Sequence, residues 1–138
     1  MVGIVLVSHT LDLAESLARY LVLLGKPEVP VVPVGGDGGY GGATGSAVLA
    51  GIVKANRGDG VVVLGDLGGS VLTARHVIEQ EPTCPYAVIA DAPFVEGAVA
   101  AAMVGGSGAS LKSVLTAAEG TRHATKLPQS IDTAPRQP

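Results

Sequence analysis

The sequence predicts one α/β domain built on a mainly parallel, doubly wound sheet with helices on both faces. Three observations carry that expectation. The runs Val2-Gly3-Ile4-Val5-Leu6-Val7 and Val61-Val62-Val63-Leu64 are continuously apolar rather than alternating, the pattern of strands buried on both faces. Segments with apolar residues at helical spacing follow the strand-like runs, so strands and helices alternate along the chain. The length of 138 residues suits a single domain and is short for two.

The first run stops at Ser8 and His9, and Leu13, Leu17, Leu21 and Leu24 then recur at helical spacing. Asp12 and Glu15 favour a first turn and Gly25 a terminus, so a helix is expected over residues 11–24. Pro27, Pro30 and Pro33 punctuate the valines of residues 28–34; a strand that cannot donate at its prolines belongs at a sheet edge. Residues 35–45 hold seven glycines among eleven and read as a loop, after which Ser46 is expected to cap a helix to about Ala55. The second run ends in Gly65-Asp66-Leu67-Gly68-Gly69-Ser70, with Ser70 expected to cap a helix over 71–81 that Pro82 and Pro85 close. Residues 86–90 form a fourth strand, Asp91-Ala92-Pro93-Phe94 a turn, and 95–104 an alanine-rich helix. Ser110 caps a last helix over 111–119, and residues 121–138, without periodicity, read as a disordered tail behind a domain of residues 1–120.

Composition narrows the function. No apolar run approaches the roughly 18 to 20 residues of a membrane span, and no basic leader opens the chain, so a cytoplasmic protein is expected. The single cysteine, Cys84, forms no intrachain disulfide. A net charge of -3 without a basic cluster argues against nucleic acid as a partner. Twenty glycines and 3% aromatic residues suggest close backbone packing and a small ligand footprint. His76 and His123 join no carboxylate or cysteine cluster, so no metal site is expected. The glycine-rich stretch lacks the lysine and hydroxyl of a P-loop, and no cofactor is expected on this chain.

His9 stands at the carboxyl end of the first strand, where ligands and chemistry collect in open α/β sheets. Position alone leaves it a reactive imidazole or a residue that caps a turn. If the strands take the flavodoxin-like order 2-1-3-4, Asp66 at the end of the third strand meets His9. A carboxylate on one imidazole N–H fixes the tautomer and leaves the other nitrogen free to attack phosphorus. The alternative for Asp66 is a turn or a helix cap. Backbone N–H groups at Gly68, Gly69 and the helix start at Thr10 are candidates to hold the phosphoryl oxygens.

Taken together, Gly3-Ile4-Val5-Leu6-Val7-Ser8-His9, Gly35-Gly36, residues 59–70 and Ala92-Pro93-Phe94-Val95-Glu96-Gly97-Ala98 resemble the mannose-type EIIA domains of the bacterial phosphotransferase system. The resemblance covers about residues 2–115, and its last block is similar to the phosphoryl-donor subunits of phosphoenolpyruvate-dependent dihydroxyacetone kinases. It implies that His9 accepts phosphate from the phosphocarrier HPr, with Asp66 as its partner carboxylate and Ser70 and the Gly68-Gly69 turn lining the site. It further implies transfer to ADP on a nucleotide-binding subunit, whose ATP serves a dihydroxyacetone-binding subunit, and a homodimeric donor. The sugar-transporter branch, passing phosphate to an EIIB domain, and a regulatory phosphoprotein share the same histidine. Two features depart from the family pattern: Gly42-Ala43-Thr44-Gly45-Ser46 stands where a glycine-threonine-serine triplet is usual, and fused HPr-like and enzyme I-like domains are absent from these 138 residues.

Overall fold

A computed structural model describes residues 1–37 and 41–128. In chain order these form β1 (Gly3–Thr10), α1 (Leu11–Leu23), β2 (Val31–Gly36), α2 (Gly45–Ala55), β3 (Val61–Gly65), α3 (Gly68–Gln80), β4 (Ala87–Ile89), α4 (Phe94–Gly105), α5 (Leu111–Gly120) and a 3-10 turn, Thr121–His123. The strands lie in the order β2-β1-β3-β4 and every pairing is parallel. This is the flavodoxin-like order expected from two continuous apolar runs at the centre and a proline-interrupted one at the edge.

The runs are continuous because each central strand feeds two cores. Ile4, Leu6, Val62 and Leu64 face one layer with Leu17, Leu21, Ala98, Ala101 and Val114. Val5, Val7, Val61 and Val63 face the other with Val48, Ile52, Ala74 and Val77. Alternate residues point to opposite faces of a strand, so a strand covered on both sides has no polar register. The alanines of α4, notably Ala98, Ala101 and Ala102, are buried and let that helix lie close to the sheet.

Several boundaries differ from the expected ones, each for a local reason. β1 continues to Thr10 instead of stopping at Val7, because its end still pairs with Gly35 and Gly36 of β2. Thr44, rather than Ser46, caps α2: its hydroxyl accepts the Ala47 N–H at 3.2 Å, and the helix starts at Gly45. α3 starts at Gly68, and Ser70 lies inside its first turn instead of capping it. Ser110 does cap α5, accepting the Ser113 N–H at 3.2 Å. Within the stretch expected to be a tail, Thr121–His123 form the 3-10 turn, Arg122 pairs with Asp91 at 2.9 Å and Lys126 pairs with Glu96. Residues 129–138 lie outside the described residues. No helix among the described residues is long and apolar enough to cross a membrane.

Candidate functional site

The chain leaves β1 toward β2 on one side and returns to β3 on the other, so the carboxyl ends of β1 and β3 bound the switch point of the sheet. His9 and Asp66 stand there. In the β1–β2 pairing Ser8 opposes Gly35 and Thr10 opposes Gly36, so the register shifts across His9. Such a bulge leaves the extra residue outside the ladder and re-aims its side chain. The His9 N–H donates instead to Asp66 Oδ2 at 3.1 Å.

Asp66 is a hub of four accepted hydrogen bonds. Oδ2 takes the Ser8 hydroxyl at 2.9 Å as well as the His9 N–H, and Oδ1 takes the Leu67 N–H at 2.7 Å and the Ser70 hydroxyl at 2.6 Å. Its own N–H donates to the Val7 carbonyl at 3.0 Å, which ties the hub to β1. Ser8 and Ser70 are the buried polar side chains among the described residues, and both donate to this carboxylate. Burial pushes the Asp66 carboxyl up, but the hydroxyl of Ser70, the N–H of His9, the hydroxyl of Ser8 and the N–H of Leu67 outweigh it and hold it below its ordinary value.

The expected contact between Asp66 and the His9 ring is therefore absent. A carboxylate offers about four lone-pair positions, and all four serve the strand end and the helix start. Asp66 is the turn-and-helix-start aspartate of the second reading, and it braces His9 through the main chain.

The His9 side chain borders a cleft of about 360 Å³. Gly41, Gly42 and Ala43 line one part of it, and Asp66, Leu67, Gly69, Ser70 and Thr73 another. α3 begins at this cleft. The first-turn N–H groups of a helix, here those of Gly68, Gly69 and Ser70, have no intrahelical acceptor and carry the positive end of the helix dipole. Gly69 and Ser70 line the cleft with His9, whereas Gly68 does not. Thr10 and Asp12 line a separate cleft of about 230 Å³ with Gly36 and Asp37, so the start of α1 does not share the His9 cleft. His76, on α3, lines a cleft against α2 with Ser46 and Glu81, and His123 lies in the 3-10 turn; among the described residues no group of His, Cys, Asp and Glu is arranged to hold a metal.

Sequence reasoning missed Gly42, Ala43, Leu67 and Thr73 as neighbours of the histidine. One signal was present: a glycine-dense loop that follows the strand next to β1 has to pass over the carboxyl ends of the sheet. The Ala92–Ala98 block also acquires a physical role. Pro93 stands at the start of α4, and a Cβ at Gly97 would lie 2.7 Å from Leu64 Cδ2 and 2.9 Å from Ala92 Cβ. The glycine sets how closely α4 approaches β3, and Glu96 holds Lys126 of the C-terminal segment.

Fold and site define an open α/β domain that presents an imidazole on a carboxylate-braced bulge at its switch point. The chain belongs to the mannose-type EIIA family: the family model described as the phosphotransferase system fructose IIA component matches residues 3–115. Membership carries a phosphocarrier role in that system, with phosphotransfer partners such as HPr. The crystal structure of a protein of unknown function, EF1359, shares the fold, with a TM-score of 0.77 and 22% identity over 93% of this chain and all of that one. No curated protein matches the sequence.

Proposed function

We propose that this chain is a phosphohistidine carrier in which His9 takes a phosphoryl group from HPr and passes it to ADP on the nucleotide-binding subunit of a dihydroxyacetone kinase. The observation that carries the phosphohistidine is the bulge, which lifts an exposed imidazole out of the ladder beside the N-terminus of α3. Nδ1 is the ring nitrogen against Gly42, so the reading assigns attack to Nε2. Its lone pair forms the new N–P bond as the donor's N–P bond breaks, and the electron pair of that bond returns to the donor imidazole. Discharge is the reverse, with a β-phosphate oxygen of ADP as the attacking atom. The backbone N–H groups of Gly69 and Ser70, with Gly68 behind them at the helix start, supply positive field for the transferred oxygens. Thr10, set in the other cleft, contributes only through its main chain. Asp66, Ser8 and Ser70 hold the strand end and the helix start in register, and no cofactor or metal enters the step. A phosphoramidate transfers readily, so positioning is most of the work.

What supports the kinase branch is the Ala92-Pro93-Phe94-Val95-Glu96-Gly97-Ala98 block. The family description, a fructose IIA component, favours a second reading in which the acceptor is the EIIB domain of a sugar system. The experiment that separates them incubates the chain with phosphoenolpyruvate, enzyme I and HPr, then offers either the ADP-loaded kinase subunits or EIIB. Mass spectrometry is expected to find phosphate on His9 that leaves only with ADP, yielding ATP. Discharge to EIIB alone would establish the transporter branch. His9→Ala is expected to take up no phosphate, and label on that variant would move the site to another residue.

A further inference from the structure

The glycine-rich loop is more than a connection, because one of its glycines lies directly against the reactive ring. At Gly42 the backbone has φ +64, and a Cβ built there would stand 2.8 Å from His9 Nδ1, 3.4 Å from Cε1 and 3.6 Å from Cγ. That is closer than side-chain carbons approach neighbours in folded proteins, so an added methyl and the ring cannot both stay where they are. The loop has little room to retreat. On its far side a Cβ at Gly36 would come within 2.8 Å of the Gly42 carbonyl group and within 2.6 Å of the His9 carbonyl oxygen, so β2, the loop and the bulge are already in backbone contact. The part that can give is the imidazole, which turns about its own side-chain torsions at small cost to the fold.

The geometry points to Gly42 as a positioning residue for phosphotransfer: it sets the orientation of the His9 ring by packing bare backbone against the Nδ1 edge. This rests on the phosphohistidine reading for its consequence but not for its contact. With Asp66 occupied by the hydroxyls of Ser8 and Ser70 and the main-chain N–H groups of His9 and Leu67, Gly42 orients the ring by shape. Gly58, at φ +102 and away from the cleft, has nothing within 4 Å of a built Cβ among the described residues, which makes it a comparison without a contact.

The test compares Gly42→Ala, Gly42→Asn, Gly58→Ala and Gly108→Ala for the rate of phosphate loading from phospho-HPr. It also compares them for the His9 ring resonances in two-bond nitrogen–proton NMR spectra across a pH titration. Asparagine tolerates a left-handed backbone yet keeps the Cβ, and Gly108, at φ +81 with nothing nearby, reports the cost of backbone strain alone. Both Gly42 variants are expected to load about ten- to a hundredfold more slowly, the scale on which sub-ångström to ångström misplacement acts. Their His9 ring resonances should shift, while Gly58→Ala and Gly108→Ala match the parent in both readouts. Parent-like loading and ring resonances in the Gly42 variants would overturn the inference, and so would equal slowing in Gly58→Ala. If the parent chain takes up no phosphate, the phosphocarrier reading fails, and the ring resonances of Gly42→Ala still decide whether the loop orients the histidine.

Discussion

Asp66 shows how much one side chain can organise at the end of a strand. Its two oxygens gather the Ser8 hydroxyl, the His9 N–H, the Leu67 N–H and the Ser70 hydroxyl. In Asp66→Asn one oxygen becomes an NH2 that faces two donors. A serine hydroxyl can rotate to accept from it, but a main-chain N–H cannot, so the N–H of His9 or of Leu67 loses its charged acceptor. The expected loss is about 1–3 kcal/mol of stability at neutral pH, read from urea denaturation. The sign of its pH dependence follows from the carboxyl lying below its ordinary value of 3.8 in the folded state. The stabilisation is complete above that unfolded value and fades as pH falls through it toward the lower folded one. The gap between the parent and Asp66→Asn should therefore close below about pH 3.8, and a gap that persists undiminished to pH 3 and below contradicts the account. The sequence made Asp66 conspicuous through its place after a buried strand. It did not show the bulge at His9, because register between β1 and β2 is decided by residues more than twenty positions apart and leaves no trace in local periodicity.

At the scale of elements, the informative residues are those where backbone meets backbone or side chain. Gly97 stands on α4 where a methyl would press on Leu64, a fully buried residue of β3 whose side chain is enclosed by the core. Gly97→Ala is expected to force α4 outward or Leu64 off its rotamer, at about 1–3 kcal/mol. Gly68→Ala, at the first position of α3 with open space around it, is expected to be neutral or stabilising by up to about 1 kcal/mol. Thermal melts of the pair should place the two variants on opposite sides of the parent or nearly so; equal midpoints would mean that α4 slides freely on the sheet. The existence of five helices and four strands was legible from spacing, and the ends were not. Ser46 and Ser70 looked like caps because both precede apolar spacing, yet Thr44 caps α2, and Ser70 donates its hydroxyl to Asp66, which also accepts the Leu67 N–H just before α3. Where several hydroxyls and a carboxylate crowd one helix start, composition names the candidates and only the path of the chain selects among them.

The whole molecule is held by two cores that share the same central strands, and this decides how it comes apart. Leu6 and Leu64 bind one layer, Val7 and Val63 the other, so neither layer can open while β1 and β3 remain intact. β1 has a strand on each side and β3 has β4 beyond it, whereas β4 itself comprises Ala87–Ile89 and ends the sheet. The 3-10 turn and the segment after it contain no buried residue through position 128; exposed ion pairs such as Arg122–Asp91 hold them, and exposed pairs contribute little. Native-state hydrogen exchange should therefore grade from outside to centre. Amides of residues 121–127 exchange first, through local fraying, while those of β1 and β3 exchange only by global opening, with free energies equal to the stability measured by denaturant. The His9 N–H is the discriminating case. It lies outside the ladder on the bulge, so its protection depends on Asp66 alone, and Asp66→Asn should strip it while leaving the Leu6 and Val63 amides limited by global unfolding. If instead the His9 amide keeps the protection of its strand neighbours in that variant, the carboxylate is not what holds the bulge, and the bulge belongs to the cooperative core.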